Sequence, residues 1–175
     1  MTVFYQTKFE DNTEGVCSRN LQLKLDQEGN TFVDVVKRDG ILEKLKAYHE
    51  QTGRSLALQG ELIGEGVQKN YEKIKGHDFY IFDVFDIDAG DYMLPTDRRQ
   101  LVEYLGLKHV PVISTNSDVT RFKTVSEIIA YADGPSMNNK VREGVVFKAN
   151  GLYKGHTFSF KAISNKYLIG HDTDE

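Results

Sequence analysis

The run Phe79-Tyr80-Ile81-Phe82-Asp83-Val84-Phe85-Asp86-Ile87 constrains this chain more than any other stretch. Aromatic and β-branched side chains pack well on a pleated surface, so the run predicts a strand. Regular alternation would place Tyr80, Phe82 and Val84 on one face, with Phe79, Ile81, Asp83 and Phe85 on the other. Phe82 then offers either a flat face for a purine or an ordinary share of sheet core. Asp83 is harder to place, because a carboxylate in so apolar a strand requires a partner.

Around this run the pattern predicts a strand-rich α+β domain. Thr2–Thr7 and Gly15–Arg19 read as strands of a hairpin joined by the polar stretch Glu10-Asp11-Asn12-Thr13. Thr31–Glu50 reads as a helix with Val33, Val36, Ile41, Leu45 and Tyr48 near one face. Asp39-Gly40 is a candidate break in it, and Gly53 is its stop. Ser55–Ile63 alternates as a strand, and Pro95–Leu105 and Thr124–Ala132 read as helices, the second ended by Asp133-Gly134-Pro135. Val145–Ala149 and Thr157–Ile163 form a closing strand pair across a 151–155 turn.

With 175 residues and 39% hydrophobic content the chain is long enough for one compact domain with its own core. No stretch approaches the roughly 18 apolar residues of a membrane span, and no apolar leader precedes the first strand. The sole cysteine, Cys17, excludes an intrachain disulfide and a thiolate zinc site, which makes the cytoplasm the default compartment. The five histidines are scattered, without the i, i+4 pair of a helical zinc site. A monomer is expected.

The net charge of −4 does not advertise a polyanion binder. Its distribution is uneven: residues 138–166 hold Lys140, Arg142, Lys148, Lys154, Lys161 and Lys166 against Glu143 alone. Such a segment can hold phosphates locally, or form a solvated charged face.

Four short elements carry possible chemistry. Glu143-Gly144-Val145-Val146-Phe147-Lys148 enters a strand on a carboxylate and leaves it on an ammonium, a pair able to hold a divalent ion and phosphate oxygens. Lys161 lies within the apolar strand Ser159-Phe160-Lys161-Ala162-Ile163-Ser164 and must reach water or an anion. Gly60-Glu61-Leu62 sets one acid at a strand end, suited to ribose hydroxyls or a metal. Ser18-Arg19-Asn20 ends a strand on a guanidinium fork. Each alone has an ordinary structural explanation.

In this order, the elements resemble the RNA ligase 2-like branch of the covalent nucleotidyltransferases, which also include DNA ligases and capping enzymes. That branch carries "SRN", "GEL", "FYxFDI", "EGxVxK" and "FKxIS", matched here from Ser18 to Ser164. The resemblance implies an antiparallel-sheet nucleotidyltransferase (adenylation, ATP-grasp-like) domain with surrounding helices. It implies ATP and Mg2+ or Mn2+ as cofactors and RNA ends as partners. Carried over, Phe82 would stack on adenine and Glu61 would contact the ribose or metal. Glu143 would hold the metal, Lys148 and Lys161 would grip phosphates, and Arg19 would engage ribose or the RNA terminus. Asp83 matches an acid important in the family.

The match departs from the family in three places. The nucleophilic lysine of "KxDG" should precede "SRN", and no such element stands there; Lys37-Arg38-Asp39-Gly40 has the pattern but follows it. Ser159 stands where the family tends to have a further lysine. No C-terminal RNA-binding domain follows the last motif. These departures lead us to expect an N-terminally incomplete domain, unable to adenylate itself. A non-catalytic nucleotide- or RNA-binding module on the same fold, or a DNA ligase or capping-type enzyme, stays open as an alternative.

Overall fold

The computed structural model describes residues 1–10, 13–116 and 118–171. Asp11 and Asn12, at the middle of the expected hairpin connection, lie outside the described residues. The elements in chain order are β1 (Thr2–Tyr5), β2 (Glu14–Cys17), β3 (Gln22–Leu23), α1 (Thr31–Arg38), α2 (Ile41–Thr52), β4 (Leu56–Gly64) and β5 (His77–Asp86). There follow β6 (Asp91–Tyr92), α3 (Pro95–Tyr104), β7 (Lys108–His109), α4 (Val125–Ala132), β8 (Gly144–Lys148), β9 (Ser159–Ile163) and α5 (Asn165–His171). Among the described residues, the larger sheet runs β3-β2-β1-β4-β5-β6, with β7 added in parallel to β5. β8 and β9 form a separate antiparallel pair. No helix among the described residues is long and apolar enough to cross a membrane.

The helix expected over 31–50 is two helices. Asn30 caps α1, its side-chain oxygen accepting from the amides of Phe32 and Val33. The break falls at Gly40, whose φ of +60° is a left-handed conformation that a side chain would resist. The turn does not cost the pair its common face: Val33, Val36, Ile41 and Leu45 are all buried. Val36, Ile41 and Leu45 pack with Val35, with Leu101 and Val102 of α3 and with Leu105 at its end against Val3, Val16, Leu58, Ile81 and Val84 of the sheet. The helices therefore cover one face of the large sheet, and burying that apolar surface is the main favourable term in this half of the fold.

β8 and β9 make a second, smaller core. Val145 and Ala162 pack on Ala132 of α4, with Ile128 and Phe147 alongside. Phe147 and Phe160, cross-strand partners, stack at 4.7 Å between ring centroids. The opposite face of this pair carries Val146, Lys148, Ser159, Lys161 and Ile163, as the register requires. Val146 and Ile163 remain 50% and 42% exposed there.

Several short elements escape sequence reading. β3, β6 and β7 are two residues each, too short to show a period, and α5 follows β9 with no strong stop before it.

Candidate functional site

The regular alternation expected along β5 does not hold, and the reason lies in its ladder with β4. Gln59 faces Asp83 and Gly60 faces Ile81, so Phe82 is an extra residue, a β-bulge. The bulge corrects the expected faces. Val84 joins Phe79 and Ile81 in the core, whereas Asp83 and Tyr80 share the other face with their partners Gln59 and Glu61. Gly60 is required here by close approach: a Cβ on it would lie 2.3 Å from the Tyr80 carbonyl oxygen and within 3 Å of the Phe79 ring. The outer edge of β5 is also interrupted. β7 pairs with Tyr80 and Ile81 and β6 with Phe85 and Asp86, and neither pairs with Phe82 or Asp83.

Asp83 finds its partners from two distant elements. Lys148, at the end of β8, donates to both of its carboxylate oxygens at 2.7 Å. Arg98 of α3 donates to Oδ1 at 3.3 Å. All three side chains are largely withdrawn from water, so their mutual attraction is weakly screened. Because Lys148 touches Asp83, the face of β8 and β9 bearing Val146, Lys161 and Ile163 looks toward the bulged face of β5. A cavity of about 180 Å³ lies at this meeting, lined by Asp83, Arg98, Lys148, Phe158 and Ser159 among others.

The remaining candidates stand in three places. Glu143 and Lys161 form an ion pair with each other at the entry to β8. Glu61 is half-buried on β4, on the same sheet face as Asp83. Arg19 is exposed in the tight turn between β2 and β3, where Ser18 and Leu21 close the turn, and it joins neither pair. Ser159 is the cross-strand partner of Lys148. The larger cleft of the molecule, about 870 Å³ between α2, α3 and β6, contains none of these residues. The smaller cavity is the one that gathers candidates from the sequence, Asp83 and Lys148, together with Arg98.

Arg98 and His109 were missed in the sequence. Arg98 sits where Leu101, Val102 and Leu105 define the apolar stripe of α3, at the i, i+3, i+4, i+7 positions. An arginine on a buried stripe and an aspartate in an apolar strand each ask for the other, and that signal was available. His109 had no such signal, since β7 is only two residues long.

Comparison with known proteins supplies the family. The RNA ligase family model matches residues 1–163. Solved structures similar to this chain include Naegleria gruberi RNA ligase with PPi, one mutant of that ligase with AMP and Mn, and another with ATP and Mn. Each is 42% identical to this chain, with a TM-score of 0.82, over 98% of this chain and 48% of the other. The chain thus spans about half the length of these relatives. No curated protein matches it. A family match that runs from the first residue to the end of β9, on a fold shared with these ligases over nearly the whole chain, leaves one conclusion: the chain belongs to the RNA ligase family.

Proposed function

We propose that these residues form the nucleotide-binding part of an ATP-dependent RNA ligase adenylation domain. The observation that carries the reading is the clasp of Lys148 on Asp83, which joins the aromatic strand to the "EGVVFK" strand around one cavity. In this reading Phe82, held out of register by the bulge, stacks on adenine. Val146 and Ile163, exposed on the facing strands, supply apolar surface opposite it. Lys148 and Lys161 neutralise phosphate oxygens, and Glu61 accepts from ribose hydroxyls. Arg19, at the rim, meets ribose or the RNA terminus.

The acid set fits a divalent ion of the hard, oxygen-preferring kind. Glu143 and Glu61 are carboxylates, and among the described residues no group of three or more His, Cys, Asp or Glu is built as a cage. That suits Mg2+ or Mn2+ held by one or two carboxylates with substrate phosphates completing the shell. The ion would supply charge neutralisation at the phosphates. Binding of ATP and Mn by mutants of the Naegleria ligase supports the same pair of cofactors here.

The whole enzyme would join RNA ends in three steps. A lysine attacks the α-phosphate of ATP and pyrophosphate leaves. The AMP passes to a 5′-phosphate of RNA, freeing the lysine. A 3′-hydroxyl then attacks that 5′-phosphate and AMP leaves. Three lysines of this chain that the motifs bring forward do not suit the first step. Lys148 and Lys161 are each held by a carboxylate, and Lys37 projects from α1, on the helix-covered side of the sheet. The free thiol of Cys17 accords with a cytoplasmic enzyme, which we take to act as a monomer on nicked or broken RNA.

Calorimetric titration of the chain with ATP, AMP and GTP in the presence of Mn2+ tests the reading. ATP is expected to bind in preference to GTP, and Lys148→Met to weaken it. Preference for GTP would point to capping chemistry, and no nucleotide binding at all would reject the proposal. Sealing of RNA nicks in preference to DNA nicks by the full-length ligase tests the polymer.

A further inference from the structure

Arg98 is only 5% exposed, on the stripe of α3 that otherwise buries Leu101, Val102 and Leu105. A guanidinium does not give up its proton, so burial requires an acceptor along its fork. It has two. Nη1 donates to Asp83, and Nε donates to Nε2 of His109 at 3.1 Å. His109 can accept there only as a neutral ring with its proton on Nδ1, and that nitrogen lies 2.6 Å from the carbonyl oxygen of Val110, which accepts it. Burial, with the charges of Arg98, Arg99 and Lys148, holds His109 below the ordinary imidazole range against the opposing pull of the Val110 carbonyl. Val110 is itself fixed, its amide donating to the carbonyl of Ile81 beside the bulge.

The charges then sum in a definite way. Asp83 faces two cations, Arg98 and Lys148, and the imidazole on the far side of the Arg98 fork is neutral, so the cluster has one positive charge in excess. Without Arg98, Asp83 and Lys148 would satisfy each other and leave nothing over for an anion. With a protonated His109, the seat of Arg98 would become a repulsion.

We propose that Arg98, seated on neutral His109, is a positioning residue for phosphate recognition: it fixes the Asp83 carboxylate, which aims the Lys148 ammonium into the cavity. The proposal rests on the nucleotide-binding reading of this site. The fork of Arg98 is spent on Asp83 and His109, so in this proposal its effect reaches a nucleotide through Lys148, falls on the phosphate part and spares the nucleoside.

The test measures the affinities of ATP and adenosine for this chain and for Arg98→Lys and Arg98→Met, with folding followed by circular dichroism and thermal melts. Arg98→Lys keeps the charge but cannot span both acceptors, and Arg98→Met removes both charge and fork. We expect ATP to weaken roughly tenfold or more in both, more in Arg98→Met, with adenosine unchanged. The nitrogen resonances of His109 should move in both, because Nε2 loses its donor. Unchanged ATP affinity in a folded variant overturns the proposal, as does equal loss of ATP and adenosine. If Arg98→Met does not fold, the ATP-to-adenosine ratio of Arg98→Lys decides alone. A wild-type chain that binds no ATP rejects the parent reading, and this inference with it, before any substitution is made.

Discussion

Lys148 donates to both carboxylate oxygens of Asp83 at 2.7 Å across 65 residues of sequence. The contact links the large sheet to the small one and explains why an apolar strand tolerates a carboxylate. A double-mutant cycle on Asp83→Asn and Lys148→Met should give a coupling of about 1–3 kcal/mol in urea unfolding, since either single change strands a partly buried charge. Additive effects within about 0.5 kcal/mol would mean that the pair does not act as a unit.

Phe82→Ala should weaken ATP and adenosine alike, by about 1–3 kcal/mol, because stacking engages the base and not the phosphates. Adenosine affinity separates this from the lysines, whose proposed role is on phosphate. Phe82 is half-buried, so a melting curve must accompany the titration. Adenosine bound as tightly as before would transfer the stacking role to another ring, with Tyr80, opposite Glu61, the first to test.

Incubation of this chain with α-labelled ATP and Mn2+, followed by denaturing electrophoresis, should leave no label on the protein. Attack on the α-phosphate needs an unprotonated amine held in line, and Lys148 and Lys161 are engaged as cations by Asp83 and Glu143. A stable adduct would refute this. Its mapping to Lys37 would mean that the "KRDG" element at the end of α1 reaches the cleft after all.

Stability in acid should depend on Asp86. Burial raises its pKa, but the Arg54 fork and the amides of Ala89 and Asp88 outweigh that and hold it below the ordinary carboxylate range. A depressed folded-state value means that the stabilisation is complete above the unfolded-state value, near 3.8, and is lost as pH falls through the folded one. Arg54→Ala should cost about 1 kcal/mol at neutral pH, limited because Arg54 is partly open to solvent, and should flatten the loss of stability as pH falls below the ordinary carboxylate range. A parallel acid profile in the variant would show that other carboxylates govern the transition.

Much of the fold was present in local pattern. The apolar face shared by α1 and α2, the stop at Gly53 and the alternation of β4, β8 and β9 are short-range properties, set by side-chain period and by glycine's tolerance of left-handed backbone. The order of the five motifs, likewise, belongs to the sequence and carried the family. Tertiary structure alone decided which groups meet. The bulge at Phe82 arises from the pairing of β4 with β5, and it moved Asp83 and Val84 to faces that strict alternation would have exchanged. Glu143 turned toward Lys161, and Asp83 toward Lys148, because β8 folds back beside β9 and onto β5. Arg98 became a buried cation seated on a neutral His109 for the same reason: the partners of a charge removed from water come from elsewhere in the chain, and residue spacing does not record who they are.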